Sequence, residues 1–270
     1  MAAAPDGRPP AAPTGPAAPA PGRVRLSVVM PVLNEGRTLR EIVARVLAAT
    51  GLVELELVIV DDGSTDDSRA IVEELAGRHP NIRARFHPEN RGKGAAVREG
   101  LGLATGDWVL IQDADLEYDP ADYDRLLGPA LSGAADAVYG SRFAADPAAA
   151  CRRARRWWHT LGNRSLTALC NLLNGLHLTD METCYKLIRG DLARRLRLTS
   201  DSFTIEPEIT ARLARAGARI VEVPISYRGR TYAEGKNIGL SDALAAVAAM
   251  LRYRFLDRKS LKDEDDSGRV

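Results

Sequence analysis

The chain has 270 residues, 45% of them hydrophobic and 27% charged, with a formal net charge of +1. That is the make-up of a globular protein of one large or two small domains, long enough to bury a substantial core. The near-neutral balance excludes a general nucleic-acid binder, so any basic function must sit in local clusters. Cys151, Cys170 and Cys184 are odd in number, widely spaced and form no C-x-x-C pair. Neither a disulfide framework nor a zinc site is expected, and a reducing, cytoplasmic setting fits. No apolar run reaches the roughly 18 residues of a membrane-spanning helix.

Residues 1–23 are almost entirely Ala, Pro and Gly and read as a disordered leader, without the basic start and Leu-rich core of a secretory signal. Residues 258–270, with Lys262-Asp-Glu-Asp-Asp266, read as a charged disordered tail. A single folded domain over 24–257 is the expectation.

Leu26 to Val32 is a β-branched run that ends in Asn34-Glu35-Gly36. Thr38-Leu-Arg-Glu41 has the form of a capping box, and Leu39, Ile42, Val43, Val46 and Leu47 follow at helical spacing. A second strand, Glu54 to Val60, ends in Asp61-Asp-Gly-Ser-Thr-Asp66, before a helix with Ile71, Val72 and Leu75 on one face. A third strand, Ile82 to Phe86, leads to Asn90-Arg-Gly-Lys-Gly94 and a helix to Leu103. The next strand, Trp108 to Gln112, ends in Asp113-Ala-Asp115-Leu-Glu117, three carboxylates at alternate positions.

Strict alternation of strand and helix implies right-handed crossovers and a mostly parallel sheet, with ligands bound beyond the carboxyl ends of the strands. The polar clusters at 34–35, 61–64 and 113–117 all follow strands and should converge on one edge. Carboxylates crowded there repel one another unless a cation joins them, and a hard divalent ion, Mg²⁺ or Mn²⁺, shared with substrate phosphates would do so. A dinucleotide grip is excluded because no G-x-G-x-x-G follows the first strand, and Arg91-Gly-Lys-Gly94 lacks the P-loop spacing.

Taken together, Ser27–Glu35, Val60–Asp66, Asn90–Gly94 and Asp113–Asp115 resemble glycosyltransferase family 2, on the α/β GT-A nucleotide-sugar fold. The subgroup they most resemble contains the dolichyl- and polyprenyl-phosphate mannose and glucose synthases, and the resemblance covers about Leu26 to Phe255. It implies a donor site for a GDP- or UDP-hexose, with Asp62 on the base, Glu35 on the ribose, and Pro31, Leu33, Val60 and Ala114 shaping the pocket. Leu33 stands where one branch of the family has an aromatic residue, so the choice between guanine and uracil stays open. Asp115 and Glu117 would hold the metal, with Asp113 supporting the metal or the donor's hydroxyls.

In the second half, Pro120 to Leu131 reads as a helix and Asp136 to Gly140 as a strand ending in Ser141-Arg142-Phe143. Arg152-Arg-Ala-Arg155-Arg156-Trp-Trp158 reads as a cationic, amphipathic lip able to fork onto a phosphate. A helix from Trp158 to Leu173 follows; Thr179 to Arg189 resembles the segment after the second catalytic strand of the same subgroup. Cys184 reads as a small packed residue. Ser202 to Glu208 opens a helix with Ile205, Ile209 and Leu213 buried, and Ala218 to Ile225 is a strand that Pro224 confines to an edge or an end. By the resemblance, Arg230 and Lys236, in the turn-rich Tyr227–Asn237 loop, close over the donor diphosphate. Leu240, Leu244, Val247, Leu251 and Phe255 mark one face of a last helix, expected to be buried, with peripheral membrane contact as the alternative.

A hydroxyl acceptor needs a general base, whereas a phosphate monoester, with a second pKa of about 6, needs cationic positioning instead. Arg142, Arg155 and Arg156 would supply it, and no carboxylate outside the acidic triplet stands out as a base. The sequence thus points to a metal-dependent, inverting transfer to polyprenyl phosphate by a peripheral protein, Asp115 and Arg142 at its centre. By the resemblance many relatives carry transmembrane helices after this domain, and the expectation here is a peripheral protein without them. Transfer to a soluble hydroxyl acceptor is the second expectation, and a nucleotide-sugar sensor without turnover the third.

Overall fold

The computed structural model describes residues 23–144, 157–229 and 240–257. Elements are labelled in chain order: β1 Arg25–Val32, α1 Leu39–Leu47, β2 Glu54–Asp61, α2 Ser68–Arg78, β3 Ile82–Phe86, α3 Lys93–Leu103 and β4 Trp108–Ile111. A 3-10 turn at Pro120–Asp122 leads into α4 Tyr123–Leu131, then β5 Ala137–Ser141, α5 Trp157–Asn174, β6 Lys186–Arg189, α6 Gly190–Arg195, α7 Ile205–Arg215, β7 Ile220–Pro224 and α8 Leu240–Leu251. A π-turn at Arg252–Leu256 follows.

The strands form one seven-stranded sheet in the order β3-β2-β1-β4-β6-β5-β7. β1 pairs in parallel with β2 and β4, and β2 with β3, as alternation with helices requires. β6 is antiparallel to both β4 and β5, so it reverses within an otherwise co-directional sheet. Alternation alone does not reveal that insertion. β1, β2 and β4 are buried over most of their length because helices cover both faces. Their side chains join those of α1, α3 and α4 in one core. Every parallel strand delivers its carboxyl end to the same edge, which fixes where the polar clusters go.

Two expectations need correction. Thr38 flanks α1, but its hydroxyl makes no cap hydrogen bond to the helix; it reaches Ala114 O at 2.8 Å and the Glu35 carboxylate at 3.0 Å. Glu41 pairs with Arg45 instead of closing a capping box. The supposed buried face of α8 is its open one: Leu244, Leu251 and Phe255 are 64%, 42% and 56% exposed, while Ala246, Ala249, Met250 and Tyr253 are buried. The 3.6-residue repeat shows that the helix has faces; in a helix this rich in alanine, apolarity does not say which faces inward. In α7, by contrast, Ile205, Ile209 and Leu213 are fully buried as expected, and β7 is an edge strand ending at Pro224.

Candidate active site

The loops after β1 and β2 are stitched together side chain to backbone. Asn34, at φ 56°, accepts from Thr65 N at 2.8 Å, and its own amide donates to Ser64 Oγ at 3.0 Å. Glu35 N donates to Ser68 Oγ at 2.8 Å, and Gly36 N to Asp66 Oδ2 at 3.0 Å. Asn tolerates the left-handed conformation because its short polar side chain bonds locally. The Asn-Glu-Gly and Asp-Asp-Gly-Ser motifs therefore form a single unit.

A second tie runs from β2 to the glycine-rich loop. Buried Asp62 accepts from Arg91 N at 2.9 Å and Gly92 N at 2.8 Å, and meets His87 Nδ1 at 2.6 Å. The other ring nitrogen of His87 meets Glu99 at 2.8 Å. Gly63 and Gly92 sit at φ 75° and 97°, and a Cβ on Gly92 would collide with the Asp201 carbonyl. Only glycine lets the loop pass that close to Ser200 and Asp201.

From this loop Lys93 reaches the acidic triplet, with Nζ 2.8 Å and 3.1 Å from the two Asp113 oxygens. Burial alone would lower the Lys93 pKa, but Asp113, Cys184 and Glu206 more than offset it and leave the ammonium firmly charged. Burial would raise Asp113, and Lys93 reverses this and holds it below the usual carboxylate range. Gln112, fully buried, accepts from Tyr123 OH and Tyr185 OH and donates to Asp113 O at 2.9 Å, fixing the end of β4. With Thr38 bonded to Ala114 O, the four motifs close into a ring.

Beyond Asp113 the chain turns sharply, with Leu116 at φ 60°. Asp115 Oδ1 accepts from Glu117 N at 3.1 Å, and Glu117 Oε2 accepts from Tyr227 OH at 2.7 Å. Arg228 N donates to Glu117 O at 2.8 Å, so the start of the basic loop is tied to the acidic motif. Among the described residues no three His, Cys, Asp or Glu side chains are gathered to enclose a metal. Asp115 and Glu117 offer hard oxygens at the strand-end edge, and Mg²⁺ or Mn²⁺ commonly takes one or two carboxylates and completes its shell with phosphate and water. The donor set fits such an open site, with Asp113 turned toward Lys93 instead.

Arg142 follows β5. Its Nε and Nη2 grip Asp180 at 2.6 Å and 2.7 Å, and its guanidinium lies 5.1 Å from the Tyr227 ring centroid. Burial would lower its pKa, but Asp180 carries it well above the ordinary value. The cation expected at the acceptor is thus already matched by a buried carboxylate, and Asn163 holds the second side of Asp180 at 3.1 Å. Pro31 and Glu35 are half-buried, Val60 and Ala114 buried, and Leu33 exposed at this edge. Cys184 is buried, and desolvation together with Asp113 pushes its thiol up, so it is packing and not a nucleophile. Arg155, Arg156, Arg230 and Lys236 lie outside the described residues.

Sequence reasoning passed over His87, Gln112, Lys93's contact with Asp113, Asp180 and Glu206. A signal for two of them was present: a histidine directly after β3 and a glutamine between an apolar strand and an acid are unusual at buried positions.

An open α/β sheet whose strand ends present Glu35, Asp62 and the Asp113–Glu117 acids in one interlocked edge is a nucleotide-sugar transferase fold of the GT-A kind. The profile described as "Glycosyl transferase family 2" matches residues 27–197. Undecaprenyl-phosphate 4-deoxy-4-formamido-L-arabinose transferase of Proteus mirabilis is 28% identical over 78% of the chain, which spans 62% of that relative's length. Polyprenol monophosphomannose synthase of Mycolicibacterium smegmatis is 30% identical, over 87% of this chain and 89% of that one. Among solved structures, glucosyl-3-phosphoglycerate synthase of Mycobacterium tuberculosis with Mn²⁺, UDP and glucosyl-3-phosphoglycerate superposes at a TM-score of 0.64, with 21% identity, over 86% of this chain and 80% of that one. The chain belongs to glycosyltransferase family 2.

Proposed function

We propose that the protein transfers a hexose from a nucleoside diphosphate sugar to a polyprenyl phosphate, with a divalent metal on the donor diphosphate. The observation that carries this reading is the ring of motifs from Glu35 through Asp62 and Lys93 to Asp113–Glu117, set at the ligand-binding edge of the sheet. The relatives named for polyprenyl acceptors support the acceptor class.

In this reading Asp62 and Glu35 address the nucleoside, with Asp62 also bracing the 91–92 amides that border the donor. Pro31, Leu33, Val60 and Ala114 form the walls around it. Asp115 and Glu117 would hold Mg²⁺ or Mn²⁺, which when bound supplies charge to the leaving diphosphate. Arg230 and Lys236 would add to that charge. Lys93 keeps Asp113 ionised and fixed at the donor edge. Arg142, with Arg155 and Arg156, positions the acceptor phosphate. GDP- and UDP-hexoses are both admitted by an exposed Leu33.

Leu244, Leu251 and Phe255, exposed beside Arg252 and Arg254, support peripheral contact with a membrane carrying the acceptor. Among the described residues no helix is long and apolar enough to cross one. The test is to supply Mn²⁺, radiolabelled GDP-mannose or UDP-glucose, and polyprenyl phosphate, and to partition the product. Label in the organic-extractable lipid supports the reading; label only in a water-soluble glycoside sinks it in favour of a hydroxyl acceptor.

A further inference from the structure

Beside Arg142 lies a carboxyl that the scheme above does not use. Glu182 follows Asp180 by two residues and precedes Cys184, which touches the acidic strand end, by two more. The residue is partly open, yet its Oε1 is shut off from solvent and finds no hydrogen-bond partner among the described residues. A buried, unbonded carboxylate oxygen is costly, and its persistence calls for an explanation.

The surrounding charges are already balanced. Arg142 is matched by Asp180, Lys186 by Glu206 at 2.5 Å, and Lys93 by Asp113. Lys186 also donates to the Met181 and Thr183 carbonyls on either side of Glu182. Three cations thus face three carboxylates, and an ionised Glu182 would be a fourth negative charge. The groups facing it are Lys186 on β6, Glu206 on α7, Arg142 after β5, Asp180 on its own segment and Cys170 on α5. Desolvation, ahead of the opposing pull of Lys186, brings its pKa up to about 7.

Resting on the acceptor reading of the preceding section, we propose that Glu182 receives the acceptor phosphate as the neutral acid, donating its proton's hydrogen bond to a phosphate oxygen beside Arg142. A dianion brought next to this carboxyl disfavours its ionisation further, so binding and protonation reinforce each other. A carboxyl kept neutral by its surroundings is a good hydrogen-bond donor to developing or fixed negative charge. The selectivity follows from charge: a phosphate monoester uses the donated bond, whereas a hydroxyl acceptor would need the ionised form as a base.

The two roles predict opposite signs. With the full chain, Mn²⁺, saturating sugar donor and geranyl phosphate as acceptor probe, the wild-type KM for acceptor should rise roughly tenfold between about pH 6 and pH 8.5, as a charge-assisted hydrogen bond is lost. Glu182→Gln, neutral at every pH and still a donor, should show a flat KM profile. Glu182→Ala should carry a KM about tenfold higher throughout, from loss of the same bond. A Gln variant that loses kcat about a hundredfold, with a wild-type rate that climbs with pH, would mark a general base and overturn the proposal.

A binding readout separates this proposal from the acceptor reading. Infrared difference spectra at about pH 8 should gain a protonated-carboxyl C=O band when geranyl phosphate is added, absent in Glu182→Gln. Sugar transfer to geranyl phosphate without that band overturns the role of Glu182 alone. The band without any transfer overturns the acceptor reading alone.

Discussion

The half of the chain up to Glu117 and the half after it are held at the active edge by different forces. On the donor side, backbone amides meet short polar side chains: Asn34 with Thr65, Glu35 N with Ser68, Asp62 with the amides of Arg91 and Gly92. In the later half, where the acceptor is proposed to bind, buried ions meet ions: Arg142 with Asp180, Lys186 with Glu206, Arg212 with Glu208. Backbone ties fix a loop's path without consuming a side-chain charge at each tie, although Lys93 and Asp113 do pair there, and this suits the diphosphate and metal proposed for the edge. Buried ion pairs consume charge, and what they leave over, as at Glu182, responds to pH.

The largest break in that comparison should come from Asp115→Ala. If Asp115 holds the metal as proposed, transfer should fall by on the order of 10³-fold or more while circular dichroism still shows the wild-type fold. Retained activity, or a collapse of the fold, would remove Asp115 from the metal site.

On the acceptor side the expected loss is structural. Glu208 accepts from Thr199 N and Ser200 N, and Arg212 bridges it to Asp257 at 2.8 Å. The pair therefore ties Asp257, just past α8 and its π-turn, to the Ser200–Asp201 segment on which Gly92 and Gly94 pack. Arg212→Leu leaves Glu208 buried without its cation and should cost about 3–5 kcal/mol in urea unfolding. A cost under about 1 kcal/mol would show that the pair is dispensable.

Glu182 gives the next effect. Its folded pKa lies above that of an unfolded glutamate, so its contribution is fully present below about pH 4.5 and is lost as pH rises through about 7. Wild-type stability should therefore decline relative to Glu182→Gln between about pH 5 and 8, by at most about 3 kcal/mol. Parallel stability profiles for the two proteins would contradict the buried position of its carboxyl.

The same contrast explains what the sequence made legible. The donor motifs are contiguous stretches at strand ends, and parallel alternation alone says where strand ends go, so β1 to β4 and the edge their loops share could be placed. The later half depends on pairings that no contiguous motif announces, Arg142 with Asp180 and Lys186 with Glu206, and on β6 entering antiparallel between β4 and β5. No local period encodes such pairings. Lys93 shows the boundary: its motif was evident, but its grip on Asp113 is visible only in three dimensions. α8 failed for a further reason, since from Ala243 to Leu251 it is Ala, Leu, Val and Met alone and only packing selects the inner face.

That exposed face gives a smaller, separable effect. Leu244→Ser with Phe255→Ser should leave stability within about 0.5 kcal/mol, as for surface changes generally. Sedimentation with anionic vesicles should nevertheless weaken by roughly tenfold, because each lost side chain forfeits part of the ~1.5–3 kcal/mol that full burial would yield. Unchanged vesicle binding would detach α8 from the membrane.

The smallest effect sharpens the donor side. Leu33 is 40% exposed just past β1, one residue before Asn34 in its left-handed conformation. Its backbone position is fixed by the ties from Asn34 to Ser64 and Thr65, so a larger side chain can grow into the open edge without moving the loop. A tyrosine there offers a flat face to the nucleobase, and aromatic stacking adds about 0.5–1.5 kcal/mol beyond simple burial. Leu33→Tyr should therefore tighten nucleoside diphosphate binding by about two- to tenfold, read as a Kd by calorimetry with Mn²⁺ present. If UDP and GDP gain alike, the wall at Leu33 contributes contact without selecting the base. If one gains and the other does not, the base plane passes over residue 33 and the preferred nucleotide is identified by the gain. No change for either would place the base away from Leu33, and the pocket would then have to be rebuilt around Pro31 and Asp62.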